Sequence, residues 1–265
     1  MPFAELPDAR VHYTRDGEGH AIVLVHGTGA GSEQWAEAVV ALADRHTVVC
    51  PDLSGSGRTT DSGAPLTVDA LAAQVIAVIA DAGIAGVQIV GHSMGAVVAA
   101  AVSAQRPDLV AGAVLHAGWA RSDVRLRALF GVWSSLLHSA PLRFAELLLV
   151  TALSPAFLAA LDAAGFAAAA ADLRARLAPG TDRHIELDAR VDIGADLARL
   201  RVPVLLLASD QDQIITPDHH AALVAALPDA QQARVRAGHG APAEAMPEML
   251  EQIVAFADAG HPCVV

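Results

Sequence analysis

Short continuous apolar runs punctuate the chain: Ala21-Ile22-Val23-Leu24-Val25, Thr47-Val48-Val49-Cys50, Val87-Gln88-Ile89-Val90 and Val110 to Leu115. Runs of this kind mark strands buried on both faces. Between them, near Gln34 to Ala43, Thr67 to Ala82 and Ala96 to Ala104, apolar residues return at helical spacing. The alternation predicts βαβα units, hence a mostly parallel sheet with helices on both faces and right-handed crossovers. Ahead of them, the alternating segment Arg10 to Thr14 and the turn Gly17-Glu18-Gly19 predict an early hairpin. From about Trp119 to Arg199 the rhythm stops, and helices are predicted over Arg125 to Leu137, Pro141 to Leu153, Pro155 to Ala164, Phe166 to Leu177 and from about His184. A strand at Val202 to Leu207, a helix at Pro217 to Leu227, a strand at Ala233 to Ala237 and a helix from about Ala243 to Ala259 complete the pattern. An all-helical stretch between two strands of one sheet is an insertion. The expected architecture is therefore an α/β core over residues 1–118 and 200–265 with a helical cap over 119–199.

One junction in this pattern carries chemistry. Gly91-His92-Ser93-Met94-Gly95 joins the apolar run ending at Val90 to the helical segment after it. A G-x-S-x-G between strand and helix is a nucleophile elbow, in which small flanking residues let a serine hydroxyl project above the sheet. The following helix aims its N-terminal amides at the same point, where negative charge develops during acyl transfer. The earlier loop His26-Gly27-Thr28-Gly29-Ala30-Gly31 lacks the spacing of a dinucleotide loop and has no Walker lysine. Its expected use is an oxyanion hole, with the Thr28 and Met94 backbone N–H groups as donors.

Composition narrows the partners. The formal charge is −12, all 17 basic residues are arginine, and neither lysine nor asparagine occurs. No basic footprint exists for a phosphate backbone, so nucleic acid is excluded as a partner. The 54% hydrophobic content is inflated by alanine, and its apolar runs fall short of the roughly 18 residues of a membrane span. The N-terminal segment MPFAELPDAR does not read as a secretory signal, so a cytoplasmic location is expected. The two cysteines, Cys50 in a buried strand and Cys263 in the tail, build no disulfide framework. Adjacent helix positions His219 and His220 diverge, and no metal or cofactor is expected.

The segments VLVHGTGAG (Val23 to Gly31), PDLSGSGRT (Pro51 to Thr59), VGHSMGA (Val90 to Ala96), VPVLLLASDQD (Val202 to Asp212) and AGHGAP (Ala237 to Pro242) together resemble the α/β-hydrolase superfamily over nearly the full chain. The resemblance implies an α/β-hydrolase fold with Ser93 as nucleophile, His239 as general base and then acid, and Asp212 as the carboxylate that orients the histidine. Their order, Ser then Asp then His, is the one this fold uses. Ser209 departs from the glycine common at that position, and Asp210 stands as a second carboxylate in the same loop. The chemistry agrees, because a serine hydroxyl is a weak nucleophile until an imidazole steadied by a carboxylate takes its proton. His26, His116, Trp119 and Trp133 are candidate pocket residues, whereas His92 is expected to point away from the nucleophile, into packing or a hydrogen bond behind the site. Phe130, Trp133 and Phe157 are expected to shape substrate choice from the cap. A serine at the elbow excludes the branches that attack with aspartate, and leaves hydrolysis of a small, largely apolar ester, lactone or thioester. Carbon-carbon bond hydrolysis on the same triad and a small-molecule receptor with a retained triad stand as alternatives. Oligomeric state is not legible.

Overall fold

The computed structural model of the chain describes residues 2–259, so Cys263 lies outside the described residues. In chain order the strands are β1 (Phe3–Glu5), β2 (Ala9–Asp16), β3 (His20–Val25), β4 (His46–Pro51), β5 (Thr60–Asp61), β6 (Val87–His92), β7 (Val110–His116), β8 (Val204–Ser209) and β9 (Gln231–Val235). Helices α1 (Ala36–Leu42), α2 (Val68–Asp81) and α3 (Met94–Gln105) belong to the first half. Between β7 and β8 lie α4 (Val124–Ser139), α5 (Pro141–Ala152), α6 (Pro155–Ala159), α7 (Ala163–Arg176), α8 (Thr181–Asp188) and α9 (Gly194–Arg199). After β8 come α10 (Pro217–Ala226), α11 (Ala241–Glu244) and α12 (Met246–Asp258).

The sheet order is β1-β2-β4-β3-β6-β7-β8-β9, with β5 on β2. Every pairing from β4 through β9 is parallel, while β1, β2 and β5 add antiparallel pairs at one side. The expected hairpin between β2 and β3 does not form. β4, buried at all six positions, lies between them, antiparallel to β2 and parallel to β3. Gly17 and Gly19 serve that crossing instead: both have positive φ, and a Cβ on Gly17 would stand 2.2 Å from the Ala43 carbonyl oxygen.

Two apolar layers hold the sheet. One packs α2 and α3 with Val23, Val25, Ile89 and Leu115; the other packs Trp35, Leu42 and α12 with Ile22, Leu24, Val90 and Leu207. Helix α3 is buried from Met94 through Ser103, as expected of a helix apolar on all sides. Its seat is tight, because a Cβ on Gly95 would lie 2.2 Å from the Val25 carbonyl oxygen and one on Gly91 would lie 2.1 Å from that of Gly95.

The inserted helices are tied to the loops above β3 and β4 by polar bonds. Ala178 N donates to Gly29 O at 2.9 Å, Gly180 N to Gly55 O at 2.8 Å, and Thr28 Oγ1 to Asp188 Oδ2 at 2.5 Å. His184 accepts from Gly29 N through Nδ1 at 3.2 Å and donates to Ser54 O through Nε2 at 2.8 Å. Burial holds this imidazole's pKa down at about 4, so it stays neutral with its tautomer set by these partners. Arg183 makes an ion pair with Asp61 at 3.0 Å. Burial also pushes the Asp188 carboxyl up to about 7, because its main compensation is the Thr28 hydroxyl and Oδ1 has no partner.

Substitutions test this packing. Gly95→Ala should destabilise the fold by about 1–3 kcal/mol or more in urea unfolding, since its methyl meets backbone. Gly131→Ala on the exposed, open side of α4 should be neutral or stabilising by up to ~1 kcal/mol. For Asp188, the folded pKa of about 7 lies above the unfolded value of ~3.9, so between them the folded state keeps a proton that the unfolded chain has released. Its contribution to stability is full below that window and falls as pH rises through it. The melting temperature of wild type should therefore drop relative to Asp188→Asn between pH 5 and pH 8, and parallel curves would contradict the assignment.

Candidate active site

Parallel strands bring the loops at their C-terminal ends to one edge of the sheet. His26 to Gly31 follows β3, Ser93 follows β6, Asp212 follows β8 and His239 follows β9. Ser93 has φ 55° and ψ −121°, a conformation that side chains other than glycine rarely adopt. The turn holds because Ser93 N donates to His116 O at 2.9 Å and because Gly91 and Gly95 leave room for the chain to double back. The hydroxyl consequently stands above the sheet at the N-terminus of α3.

His239 Nε2 lies 2.9 Å from Ser93 Oγ, and His239 Nδ1 lies 2.8 Å from Asp212 Oδ2. With Nδ1–H donating to the carboxylate, the Nε2 lone pair faces the serine hydroxyl. All three side chains are shielded: Ser93 is 7% and His239 6% exposed, and the Asp212 carboxylate only 4%. Asp212 Oδ1 accepts from Ile214 N and Ile215 N at 2.8 Å each, which fixes the carboxylate plane. Asp210, the other carboxylate of that loop, points outward to Arg234 at 3.3 Å. A hydroxyl, an imidazole and a carboxylate in this sequence can move a proton off the oxygen as it attacks a carbonyl.

Among the described residues, neither the Thr28 nor the Met94 backbone N–H donates a hydrogen bond. Thr28 and Ser93, the residue before Met94, line a chamber of about 190 Å³ together with His239, Gln34 and His92 on the sheet side, and with Trp133, Phe144, Leu148, Leu153, Leu173 and Leu177 from the segment between β7 and β8. Gln34 supports the loop by accepting from Gly27 N at 3.1 Å. No arginine, aspartate or glutamate lines the chamber.

The other candidate pocket residues divide. Trp133 lines the chamber, in a row of rings that runs Trp119, Phe130, Trp133, Phe144 with centroids 5.3 to 6.0 Å apart. Trp119 stands at the far end of that row, its Nε1 donating to Ser122 Oγ, and does not reach the chamber. Neither does Phe130, which is buried behind Trp133, nor Phe157, which is exposed. His26 is turned into the loop base, donating to Gly27 O and accepting from Leu53 N, and burial lowers its pKa. His116 is fully buried one strand away, bonded to His92 and Ser209. His92 makes the expected bond behind the site, to His116 at 2.9 Å, and in addition lines the chamber, its ring centroid 5.0 Å from that of His239.

Two acids were not singled out from the sequence. Asp188 holds the Thr28 hydroxyl, and Glu244 accepts from Gly238 N and from Ser154 N, tying the His239 turn to the inserted helices. Both bonds join residues far apart in the chain or outside any motif. Among the described residues, no group of three or more histidine, cysteine or acidic side chains is placed to hold a metal ion, and no helix is long and apolar enough to cross a membrane.

The model of the alpha/beta hydrolase fold family matches residues 20–245. Pyrrolizixenacetamide deacetylase from Xenorhabdus hominickii is 34% identical over 242 residues, 90% of this chain and 91% of its own. A putative carbamate hydrolase, RutD, from Azorhizobium caulinodans is 30% identical over 258 residues, 96% of this chain and 97% of its own. The enol-lactonase from Burkholderia xenovorans shares the fold with a TM-score of 0.84 at 21% identity, across 97% of this chain and 100% of that one. These likenesses follow the same sheet whose strand ends gather Ser93, Asp212 and His239, and the chain belongs to the α/β-hydrolase fold family, as a hydrolase.

Proposed function

We propose that the protein hydrolyses a neutral acyl bond of a small, largely apolar substrate, in the first place a carboxylic ester, lactone or thioester, through an acyl-enzyme on Ser93. The observation that carries this reading is the continuous array from Asp212 through His239 to Ser93 Oγ, at 2.8 and 2.9 Å, opening into an apolar chamber. His239 takes the hydroxyl proton as Ser93 Oγ bonds to the carbonyl carbon. The oxygen of the tetrahedral intermediate gains the negative charge and is met by the N–H groups of Thr28 and Met94. His239 then returns the proton to the departing atom as the acyl bond breaks. Water repeats the sequence on the acyl-enzyme: His239 removes its proton, the hydroxide oxygen bonds to the acyl carbon, and Ser93 recovers its hydrogen.

Residues 119–199 serve in this reading as a cap that sets access. Its helices supply Trp133, Phe144 and the leucines of the chamber, while the reacting groups stay on the sheet. A chamber without cationic or anionic lining other than its two histidines disfavours a charged acyl group, whose burial would go uncompensated. The relatives named for deacetylation and carbamate hydrolysis support acyl cleavage as the shared chemistry, and they add N-acyl amides and carbamates to the panel worth testing.

Purified protein should hydrolyse short neutral esters or lactones with kcat/KM about a hundredfold above that for the same compounds bearing a terminal carboxylate. No turnover of any acyl compound would overturn the reading. Asp212→Asn should lose on the order of 10⁴ in kcat with a modest change in KM, as in the serine-protease model. Asp210→Asn should lose about tenfold or less, since that carboxylate faces Arg234 and not the histidine. Equal losses from both would assign the effect to the loop as a whole.

A further inference from the structure

Beneath the chamber a second chain of polar bonds runs parallel to the first. His92 Nδ1 and His116 Nδ1 are 2.9 Å apart with the rings nearly coplanar in tilt, at 22°, and His116 Nε2 is 3.0 Å from Ser209 Oγ. At the near end, His92 lines the chamber and its Nε2 has no hydrogen-bond partner among the described residues. At the far end, Ser209 borders a small cleft shared with Asp212, His220 and Arg234. The proposed catalytic cycle uses none of His92, His116 and Ser209.

Burial removes the charged form of both rings. His116 is held down at about 3, and His92 is lowered well below its ordinary value by burial and by its neighbours His116, His239 and His26. A neutral imidazole carries one proton. Only one of the two facing Nδ1 atoms can therefore hold a hydrogen, and the rings must be in opposite tautomers. If His92 holds it, His92 Nε2 is a bare acceptor toward the chamber and His116 Nε2–H donates to Ser209. If His116 holds it, His92 Nε2–H is a donor toward the chamber and His116 Nε2 accepts from the Ser209 hydroxyl. A hydroxyl donates or accepts equally well, so Ser209 permits both states, which a glycine at this position would not.

We propose that His92 is a specificity-determining residue that touches the substrate beside the scissile carbonyl, and that His116 and Ser209 are positioning residues that let its Nε2 switch between acceptor and donor. The substrate class follows: an acyl compound whose departing atom is either an oxygen acceptor, as in an ester or lactone, or an N–H donor, as in an amide or carbamate. Switching is balanced in protons. His92 Nε2 takes one from chamber water, His92 Nδ1 passes its own to His116 Nδ1, His116 Nε2 passes its own to Ser209 Oγ, and the Ser209 proton leaves to solvent at the cleft, which returns one to the hydroxide left in the chamber. The substrate contact rests on the acyl-cleavage reading, whereas the relay itself does not.

Two measurements on the full-length protein separate these parts. Nitrogen-15 spectra of histidine-labelled protein at neutral pH, assigned with His116→Phe, should show His92 and His116 both neutral and in opposite tautomers. The same tautomer in both, or a charged ring, would overturn the relay. In kinetics on an ester and an amide that share one acyl group, His92→Leu should lower kcat/KM for both by about fivefold to tenfold, one hydrogen bond's worth. His92→Gln, which offers a donor and an acceptor, should recover part of that loss and keeps the test open if the leucine variant does not fold. Ser209→Ala should shift both the tautomer ratio and the ester-to-amide ratio, by about threefold or more. Unchanged kinetics in the His92 variants, or unchanged ratios in Ser209→Ala, would overturn the assignment. Failure of wild type on both substrates would instead overturn acyl cleavage and the substrate contact with it, leaving the spectra to decide the relay.

Discussion

Everything at the site depends on a serine held in a backbone conformation it would not choose. Ser93 sits at φ 55°, and a residue there is tolerated only when its surroundings leave no alternative. Those surroundings are backbone: Gly91 lies against Gly95, and Gly95 against the carbonyls of Val25 and His26. The same contact that makes the elbow tight also makes β3 and β6 neighbours, with Val25 opposite Gly91 in register. The glycine loop after β3 is thereby delivered beside the serine, where a Cβ on Gly27 would lie 3.3 Å from Ser93 Cβ.

The inserted helices touch this machinery at both of its ends. Asp188 and His184 of α8 bind Thr28 and Gly29 on one side; on the other the Ala152 carbonyl accepts from Gly240 N, and Ser154 N donates to Glu244, which also accepts from Gly238 N. Bonds of this kind are strong in an enclosed, poorly solvated setting and costly to break singly. The helices that wall the chamber are in consequence coupled to the loops after β3 and β9 that face them across it.

Much of this was legible in the chain. The strands buried on both faces announce themselves as continuous apolar runs, and Gly91, Gly95, His239 and Asp212 stand in motifs whose spacing is set by backbone geometry. Other features leave no local signal. β9 begins with Gln231 and Gln232, exposed at the sheet edge, so its apolar run marks only its end. The place of β4 between β2 and β3 depends on which strand best fills the interior, a comparison among distant segments. The bond from Asp188 to Thr28 spans 160 residues, and no periodicity can report it. The place of His92 has a related limit: the turn rule says where the serine points, but the ring its neighbour bonds, His116, comes from β7, and the ring beside it, His239, from the loop after β9.

The central claim is that Ser93 is the one residue that becomes acylated, and its most direct test needs no knowledge of the substrate. A fluorophosphonate reacts with an activated serine oxygen and stops at the covalent adduct. Intact-protein mass spectrometry should show a single adduct per chain, peptide mapping should put it on Ser93, and Ser93→Ala should show none. An adduct that survives this substitution, or maps to another serine, would contradict the account.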